Sequence, residues 1–174
     1  LSVSVTTRSS RVSEKDGRDY FFINEEEFLK MIDNKELLEH AYVFGNRYGT
    51  KHKLVNDHLN SGKNVLFDLD WQGAKQLREN KGICSQLVTV FILPPSITEL
   101  NRRLKIRNLD SKETLEKRML EAEKEISHWV DYDYVIINDK FEECFEKLNS
   151  IGKAEKLRRV RQVGLKSFTE KNLK

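Results

Sequence analysis

A chain of 174 residues, 38% hydrophobic and 34% charged with only 2 prolines and 8 glycines, suits one folded, helix-rich core with a small appended lobe, and excludes a disordered or collagen-like chain. The net charge of +3 is mild. Its basic surplus gathers in "KAEKLRRVRQVGLK", which reads as a solvated helix face, so no nucleic-acid partner is expected. No apolar stretch is long enough to span a membrane, and Cys84 and Cys144 lack metal or redox spacing, which fits idle thiols in a cytoplasmic protein.

In chain order, strands are predicted at "SVSVT", "DYFFI", "LLEHAYVF", "NVLFDLD", "QLVTVFIL" and "YDYVIIN". Helical patterns run over Trp71 to Asn80, Ile97 to Ile106, Glu113 to Val130 and Phe141 to about Arg161. The last three strand runs are almost continuously apolar, as strands covered on both faces tend to be. Apolar strands alternating with helices predict an α/β fold with a parallel sheet. The segment 19–62 differs, with short strands close together, and reads as a lobe inserted on that sheet. "PPSITEL" marks a helix start, with Ser96 as cap and Glu99 three residues on. "NSGKNV" reads as a helix end with a glycine stop at Gly62.

Several residues have the chemistry to hold a nucleotide. Arg8 and Arg11 follow a strand end and could grip one phosphate from two sides, with Ser9 and Ser10 forming a turn between them. In "VFGNRYGT", Gly45 and Gly49 permit tight turns, while Tyr48 and Thr50 supply hydroxyls. Glu39 stands on the strand leading into that corner. A carboxylate accepts both adjacent donors of guanine, N1–H and the exocyclic amine, and hydroxyls such as those of Ser4 and Thr50 can donate to O6. "VLFDLDWQG" ends a strand in two acids, Asp68 and Asp70, where α/β sheets place ligands. Solvated arginines, a hairpin corner and surface acids would account for these features one at a time.

Their order is more specific. "SVSVTTRSSR", "DGRDYFFI", "EEFLKMI", "LLEHAYVFGNRYGT", "VLFDLDWQGAKQLR", "FILPPSITELNRRLKIRN", "EKRMLEAEKEISHWVDYDYVIIND" and "AEKLRRVRQ" together resemble the guanylate kinase family in its bacterial form, from Ser2 to about Gln162. The resemblance implies transfer of the γ-phosphoryl group of ATP to GMP, with Mg²⁺ accompanying ATP. It also implies a P-loop nucleoside monophosphate kinase fold: a parallel core of residues 1–18 and 63–174, a helical lid at about 103–130, and a GMP-binding lobe at 19–62. On the GMP side it assigns Arg8, Arg11, Tyr20 and Tyr48 to the phosphate and Ser4, Glu39 and Thr50 to the base, with Asp68 and Asp70 nearby. On the ATP side it assigns Arg103, Arg107 and Arg118 to the phosphates and Asn138 to the adenine. Arg11, Arg107 and Arg118 are the expected catalytic arginines. No protein-held metal is implied, and the oligomeric state is left open, a homodimer among the options.

A P-loop kinase also needs GxxxxGK[ST] between a strand and a helix, and these 174 residues contain no such pattern. The family carries that unit just before "SVS", so the natural chain is expected to be longer and this segment alone a poor catalyst. A rival expectation is a catalytically silent guanylate-kinase-like interaction domain.

Overall fold

The computed structural model describes residues 1–107, 119, 122 and 124–173, with the backbone alone at position 107. The chain forms two compact units, Leu1–Leu87 and Val88–Lys174.

The first unit is built on a four-stranded sheet of β1 (Val5–Thr6), β2 (Phe21–Phe22), β3 (Leu37–Val43) and β4 (Asn46–Lys51), in the order β2-β1-β4-β3. Only β1 and β2 are parallel; β4 runs antiparallel to both its neighbours. The β3–β4 hairpin turns through Phe44 and Gly45, at φ 49° and 79°. Two successive positive φ values match the right-handed twist of the strands, and Gly45 takes its share without strain. Gly49 is no turn residue. It lies inside β4, where a side chain would meet Phe28 Cζ at 3.2 Å and the Glu39 carbonyl at 3.0 Å.

α1 (Glu25–Asp33) starts on a complete capping box. The Asn24 side chain accepts from the Glu27 N–H at 2.8 Å, and the Glu27 carboxylate accepts from the Asn24 N–H at 3.2 Å. It buries Phe28 completely, a contribution of roughly 1.5–3 kcal/mol. α2 (His52–Asn60) ends as the sequence suggests. Gly62, at φ 75°, donates to the Leu59 carbonyl while Lys63 donates to that of His58, the paired bonds of a Schellman stop.

The run at residues 64–70 departs from expectation. It belongs to no strand, being tied to β1's approach by one backbone bond, from the Ser2 N–H to the Leu66 carbonyl. Its alternation still works: Val65, Phe67 and Leu69 pack on a core of Leu38, Val55 and Leu77, while Leu66 faces out at 57% exposure. α3 (Trp71–Glu79) follows at once, capped by Asp70.

In the second unit, β5 (Val90–Leu93) and β6 (Tyr134–Ile137) form the expected parallel pair. Thr89 and Asp133 brace its start: the Thr89 N–H and hydroxyl both donate to Asp133 Oδ2 at 2.8 Å. Val135 and Ile137 remain exposed on either side of the buried Ile136, and Ile92 is exposed as well, so these runs are less covered among the described residues than their apolar character suggests. α4 (Ile97–Arg107) begins where Ser96 Oγ accepts from the Glu99 N–H at 3.1 Å. Glu99 does not close the box but turns to Arg102 and Arg103. Of the helix expected at Glu113–Val130, residues 113–118 lie outside the described residues; 124–127 are helical and lead into a 3₁₀ turn, His128–Asp131. α5 (Phe141–Leu157) covers β6 with Cys144, and a 3₁₀ turn, Arg159–Arg161, then leads through Gly164 to α6 (Leu165–Asn172). Both cysteines are free thiols. No described helix is long and apolar enough to cross a membrane.

Candidate functional site

Strand β4 organises the first unit's polar cluster. Tyr48 pairs with Thr6 of β1 on one side and Ala41 of β3 on the other. Thr50, two residues on, pairs with Glu39. Two residues along a strand put Tyr48 and Thr50 on one face, about 7 Å apart.

At the Tyr48 end, aromatic rings and cations converge. Tyr20 meets Tyr48 edge-on with centroids 6.1 Å apart, and the Arg8 guanidinium lies 5.4 Å from the Tyr20 ring centre and 5.8 Å from that of Phe22. Burial raises the Tyr20 phenol above its ordinary pKa, and the charges of Tyr48 and Asp68 add to the effect. Tyr20 therefore stays a neutral O–H donor. Arg8 Nη2 donates to Glu14 Oε1 at 2.7 Å, and the Arg11 N–H donates to Glu14 Oε2 at 2.7 Å. The hydrogen bond from Arg8 is the main reason that Glu14 sits below the usual carboxylate range. The Arg11 guanidinium is largely open to solvent, 3.9 Å from Glu14.

At the Thr50 end lies a buried acid. Glu39 is 3% exposed and Thr50 fully buried. Burial pushes the Glu39 carboxyl up to about 7; Thr50 opposes the shift, and the nearby Asp70 charge adds to it. Thr50 is close enough to ease the charge, yet neither Glu39 Oε1 nor Thr50 Oγ1 completes a hydrogen bond of ordinary geometry among the described residues. Two facing, unpaired polar atoms in a buried site form an arrangement that costs free energy until a ligand satisfies it. Asp70 Oδ1 accepts from the Gly73 N–H at 3.0 Å as the cap of α3.

Ser4 enters through its backbone carbonyl, which accepts from the Phe21 N–H at 2.9 Å. In the second unit, Arg103 and Asn138 come together. Arg103 Nη1 donates to the Asn138 carbonyl at 2.9 Å, Nη2 to that of Asp139 at 3.2 Å, and Nε to Glu99 at 2.7 Å. Hydrogen bonds from Arg102 and Arg103 pull Glu99 down to about 2. Arg118 and the side chain of Arg107 lie outside the described residues. No group of three or more metal-ligating side chains forms among the described residues.

Sequence reasoning overlooked Glu14, Gly73 and Gln76. Glu14 is an acid within a group of cations and hydroxyls, and its place three residues after Arg11 is a signal. A lone glycine early in α3 is another, since glycine weakens a helix unless something needs its space.

A buried carboxylate with a facing hydroxyl, next to an arginine–tyrosine cluster on an α/β chain, has the chemistry suited to a nucleoside monophosphate. This is the class of the nucleoside monophosphate kinases, with the P-loop kinase fold. A guanylate kinase family profile matches residues 1–155. The guanylate kinase of Zymomonas mobilis is 50% identical over 173 residues, covering 99% of this chain and 79% of that protein. The one from Nitrobacter hamburgensis is 52% identical over 168 residues, covering 97% and 76%. The crystal structure of guanylate kinase from Anaplasma phagocytophilum superposes with a TM-score of 0.84 at 42% identity, covering 99% of this chain and 84% of that one. The chain belongs to the guanylate kinase family.

Proposed function

We propose that the chain takes GMP as phosphoryl acceptor and ATP as donor, forming GDP and ADP in the cytoplasm. The observation that carries the choice of acceptor is the unpaired couple of Glu39 Oε1 and Thr50 Oγ1. Guanine's N1–H and amine donate to the Glu39 carboxylate, while the Thr50 and Ser4 hydroxyls serve O6. Adenine lacks this donor pair, so its binding would leave the buried acid unsatisfied. Asp68 and Asp70 flank the base.

About one nucleoside away along β4, the GMP phosphate is held by the forks of Arg8 and Arg11 and by the hydroxyls of Tyr20 and Tyr48. Residues 19–62 form the lobe that carries Tyr20, Glu39, Tyr48 and Thr50. On the donor side, Arg103, Arg107 and Arg118 attend the ATP phosphates and Asn138 the adenine, with the lid at about 103–130. Phosphoryl transfer needs in-line positioning and neutralised charge more than covalent help. Arg11 orients the attacking phosphate oxygen. Arg107 and Arg118 offset charge on the transferring group. Mg²⁺ accompanies ATP, bound to its phosphates as part of that substrate.

The test is steady-state ADP formation by the natural gene product with Mg²⁺, ATP and each nucleoside monophosphate in turn. GMP should be strongly preferred. Equal rates with AMP, or no GMP-dependent turnover, would reject the proposal.

A further inference from the structure

Glu39 can read a base only if its carboxylate is held at one place, and α3 supplies two fittings for that. The first is a gap. A Cβ at Gly73 would stand 2.6 Å from Glu39 Oε2 and 3.3 Å from its carboxyl carbon, so the acid occupies the volume that any side chain at position 73 would fill. Glycine is a poor helix former, and the helix offers no local reason for it here: φ is not positive, and Asp70 already caps the turn.

The second fitting is a splint. Among the described residues, β3 has β4 on one side and no strand on the other. Gln76 takes the missing strand's place at one residue: its Oε1 accepts from the His40 N–H at 3.1 Å, and its Nε2 donates to the His40 carbonyl at 2.6 Å. The backbone beside Glu39 is thereby gripped from both edges. The grip matters because the β3–β4 register shifts between Leu37 and Glu39, and irregular pairing of this kind can slip. Residues 73 and 76 stand three apart and so share one face of the helix.

We infer that Gly73 and Gln76 are specificity-determining positioning residues, which set base selectivity by fixing the Glu39 carboxylate without touching the nucleotide. The inference rests on Glu39 being the base reader.

The experiment is equilibrium titration of the full-length protein with GMP and with IMP, which lacks only the exocyclic amine, in four variants, with thermal melts alongside. Gly73→Ala should weaken GMP binding at least tenfold and lower the GMP:IMP ratio in the same proportion. Adding Glu39→Asp to Gly73→Ala draws the carboxyl back by one methylene and should restore at least threefold of that ratio. Gln76→Ala should raise the GMP dissociation constant severalfold and reduce the ratio, and it serves as the test if Gly73→Ala does not fold. If both α3 variants lower the melting temperature but keep the ratio, the two residues are merely structural and the inference fails. Glu39→Gln separates the levels. If that variant keeps its GMP:IMP preference, the base-reader assignment itself is wrong; if it loses the preference while the α3 variants keep theirs, only the inference falls.

Discussion

One carboxylate oxygen of Glu14 accepts from Arg8 Nη2 at 2.7 Å, leaving the other for the Arg11 backbone N–H. An acid thus stands inside a cluster suited to bind an anion. Two effects compete there: Glu14 orders the Arg8 fork, and it repels an incoming phosphate. Arg8 and Glu14 are both largely shielded, which favours the ordering effect. Glu14→Gln should therefore weaken GMP binding by about 1 kcal/mol, with kcat little changed. Tighter binding on titration would show that repulsion dominates.

Glu39→Gln keeps the size of the side chain but replaces one acceptor with an amide NH₂ that faces a guanine donor. The expected loss is about 1–3 kcal/mol of GMP affinity, with a smaller loss for AMP. Calorimetry with both nucleotides checks it. Unchanged GMP affinity would remove Glu39 from the base site.

With its carboxyl near 7, Glu39 should make GMP binding depend on pH. Guanine's donors need the carboxylate, so well below pH 7 the proton competes and affinity should drop about tenfold per pH unit. Stability should move the opposite way in the ligand-free protein. Between the ordinary carboxyl value and about 7 the native state holds a proton that the unfolded chain has released, so stability falls as pH rises through that window. Urea melts at pH 5 and pH 8, repeated with Glu39→Gln, test this, since the variant should lack this contribution.

Arg107→Ala and Arg118→Ala should each reduce turnover by roughly 10³-fold or more while leaving GMP affinity within a few fold, as expected of arginines that act on the transferring group. Single-turnover rates beside GMP titrations separate the two effects. A large loss of GMP affinity with normal turnover would move these residues to the acceptor side.

Much of this molecule is legible in its residues. Ser96 and Gly62 punctuate helices as the pattern suggests, and the parallel pairing of β5 with β6 follows from apolar runs flanking a helix. The run at 64–70 shows the limit. Hydropathy reports which side chains are apolar, whereas a strand is defined by a ladder, and one bond from Ser2 does not make one. Gly49 was misread for a similar reason. Glycine signals either a turn or a close approach, and only the contact with Phe28 tells which. Arg8, Tyr20, Tyr48 and Glu39 were visible as chemistry. Of the fittings around them, Glu14 touches residues only three and six positions away and Gly73 is a lone helix glycine, both with a local signal, whereas Gln76 acts on His40, 36 residues away, which spacing along the chain does not reveal.

Leu38 and Glu39, adjacent in β3, have two different destinations: one joins the oily interior with Val55 and Leu77, and the other stands against Gly73 in the proposed base site. A single peptide unit thus links protein robustness to substrate choice. Attempts to harden this enzyme by enlarging or trimming the side chain at 38 would tilt its neighbour as well, and should surface as altered discrimination among purines alongside the change in melting behaviour.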